Sequence, residues 1–265
     1  MKAFFILSTF LILLFLMPVS IRAQEQGKKH RLDASFSYEY LSPNEVYGSW
    51  KTLSLGFYNK FSNDFTGFAQ MGAFSRKEGD AFLSSFGAYK DWTDRLYTYS
   101  ALTFGTNSEY LPNLRVDHDF NFKFGKEKNI VWLVGASYIK YFDVHKDLIL
   151  STGLNYYHGS WILGYRIFRN ESDPNSVVSY SHLVSAGYGK EKWQWTYLDI
   201  SLGKQAYLAS YLINPTEVRQ DSFFVSLKHR RWLGADYGIL GDINFFKLKD
   251  GYEKYGLSMG FFKEF

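Results

Sequence analysis

From Arg31 onward, apolar and polar residues take turns along the chain with a period of two, in runs the length of a strand. In the first run Leu32, Ala34, Phe36, Tyr38 and Tyr40 oppose Asp33, Ser35, Ser37 and Glu39. In the sixth, Leu114, Val116, His118, Phe120 and Phe122 oppose Arg115, Asp117, Asp119, Asn121 and Lys123. In the last, Tyr255, Leu257, Met259, Phe261 and Phe265 oppose Lys254, Gly256, Ser258, Gly260 and Glu264, with Lys263 breaking the register once. A period of two places each set on its own face of a strand, and no helical periodicity competes with it. Turn residues divide the chain into segments 31–41, 49–61, 64–75, 79–90, 94–106, 113–124, 130–141, 146–157, 159–170, 177–189, 193–204, 218–230, 236–248 and 253–265. That is fourteen strands; the facing of segments three to five is ambiguous, and merging two short hairpins there would give twelve.

The connections carry a second pattern. Those after odd-numbered segments, such as Ser42 to Gly48, Asn107 to Pro112, Glu171 to Ser176 and Gln205 to Glu217, are longer or richer in breakers. Those after even-numbered segments are mostly tight, as in Ser62-Asn63-Asp64 and His158-Gly159. Transmembrane barrels of the outer membrane have an even number of antiparallel strands, short periplasmic turns and longer external loops. The expectation is therefore an all-β chain folding as one antiparallel transmembrane β-barrel, with both termini on the periplasmic side.

Composition adds an address. Lys2, an apolar run from Ala3 to Met17, Pro18 and a polar exit through Ser20, Ile21, Arg22 and Ala23 have the layout of a cleavable signal peptide over residues 1–23, leaving a barrel domain over 24–265. The chain has no cysteine, which excludes disulfides, thiol chemistry and lipidation on a cysteine. Its 25 Phe, 21 Tyr and 7 Trp suit the aromatic girdles at the two membrane interfaces. A net charge of +4, mixed along the chain, forms no basic stripe and gives no reason to expect nucleic acid as a partner.

Candidate chemistry lies on the polar face. Asp33, Glu39, Arg115, Asp117, Asp119, Lys123, Arg166, Asp199 and Asp242 are expected to line the lumen, because an Arg or Lys facing lipid near the midplane costs roughly 2 to 4 kcal/mol. Mixed signs in a lumen serve either as a salt-bridged filling or as the lining of a wet passage that selects solute. Catalysis would need a nucleophile and base, or an acid and a His, held together at a strand end. His158-Gly159-Ser160 lies in a tight turn without a nearby carboxylate in sequence. The six histidines show no strand-like pairing for a metal, and no phosphate-binding Gly-rich loop occurs. No catalytic residue, metal site or cofactor is expected.

The last strand is similar to the C-terminal recognition signal of bacterial outer-membrane proteins, a final Phe with apolar residues at alternate positions before it. That likeness implies the barrel assembly machinery as a partner, engaged through the strand ending at Phe265. Longer landmarks run through most of the chain: Ser37-Tyr38-Glu39-Tyr40, Trp50 leading into Leu53-Ser54-Leu55-Gly56, and Arg76 after a strand. Arg95-Leu96-Tyr97-Thr98-Tyr99, Tyr156-Tyr157-His158-Gly159-Ser160-Trp161 followed by Arg166, and Gly187-Tyr188-Gly189 come next. In order and spacing these resemble the YaiO-type outer-membrane β-barrel family. Helical repeats of the tetratricopeptide kind, found before the barrel in many relatives, are absent here. Lys77-Glu78 stands where Phe-Gly often follows the family arginine. The resemblance implies an outer-membrane location and a single barrel, and supplies no reaction.

Together these readings lead us to expect an integral outer-membrane barrel without enzymatic activity, in contact with membrane lipid and lipopolysaccharide. Its role would be a narrow passage or a structural or assembly component of the envelope, with a polysaccharide or a small solute as the substance handled. The alternative is a barrel enzyme that modifies lipid or lipopolysaccharide, for which His158, His182 and Asp199 are the residues to examine.

Overall fold

The computed structural model describes residues 30–108, 110–174, 176–203 and 221–265. The expected signal peptide, with cleavage after Ala23, and the connection Gln205 to Glu217 lie outside the described residues. The strands are β1 (His30–Ser42), β2 (Ser49–Lys60), β3 (Phe65–Arg76), β4 (Gly79–Asp91), β5 (Leu96–Gly105), β6 (Leu114–Phe124) and β7 (Ile130–Lys140). They continue as β8 (Lys146–His158), β9 (Trp161–Asp173), β10 (Val177–Lys190), β11 (Gln194–Gly203), β12 (Ser222–Trp232), β13 (Tyr237–Leu248) and β14 (Glu253–Glu264). One short helix, α1 (Asn44–Tyr47), bridges β1 and β2. Each strand pairs antiparallel with its sequence neighbours, and β1 pairs with β14 to close the barrel. Fourteen strands, each hydrogen-bonded on both sides, replace the option of twelve.

Alternation in sequence becomes inside and outside in space. Leu102, Val116, Leu150, Leu198, Ile243 and Met259 stand exposed around the middle of the outer wall. Aromatic rings ring both ends: Trp92, Trp132, Trp161 and Trp193 toward the end that carries the termini, and Tyr38, Tyr40, Tyr138 and Tyr180 toward the opposite, loop-bearing end. Amphipathic rings of this kind sit where apolar core meets headgroups. In β3 to β5 the inner face is itself apolar, which is why the sequence there does not alternate clearly. Phe68 and Tyr99 stack with centroids 5.9 Å apart, and Phe74 packs with Ala81, Leu83 and Leu111.

Loop lengths sort by end less strictly than the sequence suggests. The extended connections 43–48 and 106–113 both lie at the loop end, yet β3 and β4 meet there through Lys77 and Glu78 alone. Strand ends also shift: β9 reaches Asp173 because Asn170 and Ser172 keep facing inward, and β12 begins at Ser222.

The closing seam is held at both ends. Between His30 and Phe265 two backbone hydrogen bonds of 3.0 Å form, and their rings stack at 5.6 Å. Near the loop end Lys254 Nζ donates to Glu39 Oε1 at 2.5 Å in a buried pair. Lys263, the one break in the terminal alternation, faces outward at the rim, where it pairs with Asp236 at 2.8 Å.

Candidate functional site

All nine charged residues expected in the lumen have the parity of the inner face, and the strand pairing brings most of them to opposite charges. Arg31 Nη2 donates to Asp33 Oδ2 at 2.8 Å, two residues along the same strand. Arg115 makes the same two-residue reach to Asp117, with Nε to Oδ2 at 2.7 Å and Nη2 to Oδ1 at 2.8 Å. Lys228 on β12 donates to Asp199 on β11 at 2.8 Å, and Lys123 on β6 meets Asp91 on β4 at 3.2 Å. Asp242 takes its donors from Ser226 Oγ at 3.0 Å and Asn244 Nδ2 at 3.0 Å. Charge-assisted hydrogen bonds of this kind are roughly twice as strong as neutral ones and fix rotamers on the wall.

Lys192 of the β10–β11 turn meets Glu264 of β14 at the rim, and within the spans the longest reach is that of Arg166. From β9 it passes β8 and β7 to Asp119 on β6, with Nη2 to Oδ1 at 2.7 Å and Nη1 to Oδ2 at 3.1 Å, and donates to Ser151 Oγ at 2.6 Å on the way. Gly135 of β7 makes this path available. A Cβ there would lie 1.8 Å from Asp119 Oδ1 and 2.7 Å from Arg166 Nη2. Even this pair stays within three strands of its origin. Among the described residues the inner ion pairs lie along the wall, and none joins opposite sides of the barrel. The buried apolar clusters likewise join near neighbours, as with Ile139, Ile149 and Phe168 on β7, β8 and β9.

Several inward groups escaped the sequence reading. Arg31, Lys228 and Lys254 supply the countercharges of Asp33, Asp199 and Glu39, and parity with those acids would have found them. Asp147 accepts from Asn170 Nδ2 at 3.2 Å and from the Ser172 hydroxyl. Arg76 and Arg230, also inward, have no carboxylate in ion-pair reach among the described residues.

The residues of the enzymatic alternative are kept apart. His158 ends β8 and stacks on Tyr156 at 6.0 Å; His182 faces outward and bonds the Tyr165 hydroxyl at 2.8 Å; Asp199 faces inward on Lys228. His118 and His229 are also on the outer wall, each 2.8 Å from a hydroxyl of the next strand, Ser100 and Thr196. Among the described residues no group of three metal-ligating side chains converges.

Outside the spans, the end bearing the termini has a shallow bowl of about 410 Å³ lined by Asp64, Asp91, Trp92, Thr93, Asp94 and Lys123. Its acids are matched by Lys90, Lys123 and Lys128. The hydrogen bond from Lys90, with a second from Ser62, holds the Asp64 carboxyl down at about 2. At the loop end burial raises the phenols of Tyr110 and Tyr252, so both stay neutral at physiological pH.

The family model described as YaiO membrane beta barrel domain matches residues 29–208. No curated protein sequence matches the chain. Among solved structures, a bacterial polysaccharide outer membrane secretin aligns at 8% identity over 91% of this chain and 100% of its own, with a TM-score of 0.58. The TodX deltaS2S3 mutant monoaromatic hydrocarbon channel aligns at 9% identity over 91% of each chain, TM-score 0.58. An outer membrane channel from Pseudomonas putida F1 aligns at 9% identity over 94% of this chain and 100% of its own, TM-score 0.56. At these identities the likeness is one of fold.

Proposed function

Since the chain belongs to the YaiO membrane β-barrel domain family and resides in the outer membrane, we propose that it serves as a narrow, non-enzymatic passage for a hydrophilic solute. The observation that supports this most is the course of the inner ion pairs along the wall. A filling that plugged the lumen would cross-link opposite strands, whereas pairs between near neighbours stiffen the wall and leave the axis free. Strand number agrees: about eight strands give a barrel that side chains can fill, while 16 to 18 leave an aqueous channel, and fourteen stands toward the second case. The separation of His158, His182 and Asp199 supports a role without catalysis. Handling of polysaccharide remains within this reading as one class of solute, with the inner aromatics as stacking surfaces. Both termini would face the periplasm, and Phe265 would present the last strand to the assembly machinery.

The test is reconstitution of the folded protein in planar bilayers. Stepwise conductance is the expected result; a correctly folded barrel that gives no current and no solute flux into liposomes would refute the passage.

A further inference from the structure

Building on the passage reading, we infer that the interior carries two anion stations, one toward each end, and that the barrel therefore passes anions in preference to cations. The loop-end station is built on Arg76. Its guanidinium carbon lies 3.8 Å from the Trp50 ring and 4.1 Å from the Tyr110 ring, so the planar cation is held between two aromatic surfaces. Tyr110 is fixed in turn by its hydroxyl, which donates to the Gly79 carbonyl at 2.8 Å. Of the two carboxylates near Arg76, Glu39 is bound to Lys254, and Glu78 stands exposed in the turn between β3 and β4 with no ion pair to Arg76 among the described residues. Among the described residues two buried donors consequently have no acceptor, Arg76 Nε and Trp50 Nε1, and Trp50 is only 8% exposed.

The same composition recurs toward the other end. Arg230 lies 5.8 Å from the Trp232 ring and 5.5 Å from the Phe262 ring. Arg230 Nε and Trp232 Nε1 are again buried donors without an acceptor, with Trp232 6% exposed. Of the acids near it, Asp33 on β1, three strands away, is taken by Arg31, and Glu191 of the β10–β11 turn accepts from Trp195 Nε1 at 3.4 Å.

Two acids within the spans without a cation of their own do not offset this. Asp147 and Asp242 each receive a hydroxyl and an amide donor, and Asp242 sits opposite Lys228 in the strand register. Among the described residues these two carboxylates have donors, whereas Arg76 Nε, Arg230 Nε and the two indoles lack acceptors. A buried donor left unpaired forfeits its hydration without a replacement, a penalty that a visiting oxyanion would relieve. Guanidinium on aromatic rings retains its charge and its N–H edge, the geometry that suits carboxylate or phosphate oxygens. Charged groups along a pore act as its selectivity elements, so two donor-only stations in series favour anionic solutes.

The experiment uses the folded chain in planar bilayers under a potassium chloride gradient. Expected are a reversal potential displaced toward the chloride equilibrium value and a chloride current reduced by inorganic phosphate. In the double variant Arg76→Gln, Arg230→Gln both effects should shrink, while Arg169→Gln, which alters an outward pair with Glu171, leaves both unchanged. Heat-modifiable migration on gels verifies folding of each variant, and Arg76→Lys with Arg230→Lys, which keeps the charge, should retain the chloride preference if the glutamine pair fails to fold. Conductance with cation preference or none, or phosphate without effect on the current, overturns the anion stations and leaves the passage standing. Absence of any conductance overturns both.

Discussion

Replacing Gly135 with Ala should break the bridge between Arg166 and Asp119 without touching either residue. The added Cβ would stand 1.8 Å from Asp119 Oδ1 and 2.9 Å from its Cγ, against ordinary contact near 3.4 to 4 Å, so the carboxylate has to leave. Both partners are largely shielded, with side-chain exposures of 13% for Arg166 and 11% for Asp119. Splitting such a pair strands two desolvated charges, which in buried pairs costs 3 to 5 kcal/mol; with lumen water nearby we take about 3 kcal/mol. At 2 to 4 °C per kcal/mol for a chain of this size, the midpoint of thermal unfolding should fall by roughly 6 to 12 °C. The fraction of heat-modifiable, folded band on gels, read against temperature in detergent, measures this directly. The decisive form is a double-mutant cycle with Asp119→Ala, which removes the atoms that the new methyl would strike. On that background Gly135→Ala should cost less than about 0.5 kcal/mol. An equal cost in both backgrounds would mean that Gly135 matters for strand geometry rather than for the bridge, and the reasoning would be refuted.

Two other outcomes follow from the same wall and its rim. Lys254→Met leaves Glu39 buried at the seam without its cation and should lower stability by about 3 kcal/mol, while adding Glu39→Leu should restore most of the loss; the same gel assay reads both. Asp64, held at about 2, contributes stability above its unfolded pKa and loses it as pH falls from the ordinary carboxylate range toward 2, so carboxyl NMR should show Asp64 titrating late and Lys90→Gln moving it back up.

Fold and address were legible because they rest on period two. The nine charged residues read as inward from the period of their own strands, since a charge facing lipid is costly. Partnerships were not legible. Glu39 and Lys254 lie at opposite ends of the chain and meet only because β1 closes on β14, and Asp119 finds Arg166 only because Gly135 has no side chain. Segments three to five stayed ambiguous for a different reason: Phe68, Phe74, Leu83 and Tyr99 put apolar surface inside, where the simple rule expects polarity. Arg76 and Arg230 sit at strand ends, where sequence alone gives a charge an easy account as a solvated rim residue. What sets them apart is the lack of an acceptor, which only three-dimensional placement reveals.

The seam at β1 and β14 has a bearing on how the molecule is made. Hydrogen-bonded strand pairs elsewhere join neighbours in sequence and can zip as hairpins, but this last pairing joins residues as far apart as Arg31 and Glu264. Loop-closure entropy makes such a contact slow, and until it forms the sheet has two open edges exposing unpaired amides and carbonyls. Closure of the barrel therefore waits on β14, whose pairing with β1 satisfies both edges at once. The Lys254–Glu39 pair bears on that step: without the lysine, closing the seam would bury Glu39 unpaired, which penalises the closed barrel relative to the open sheet.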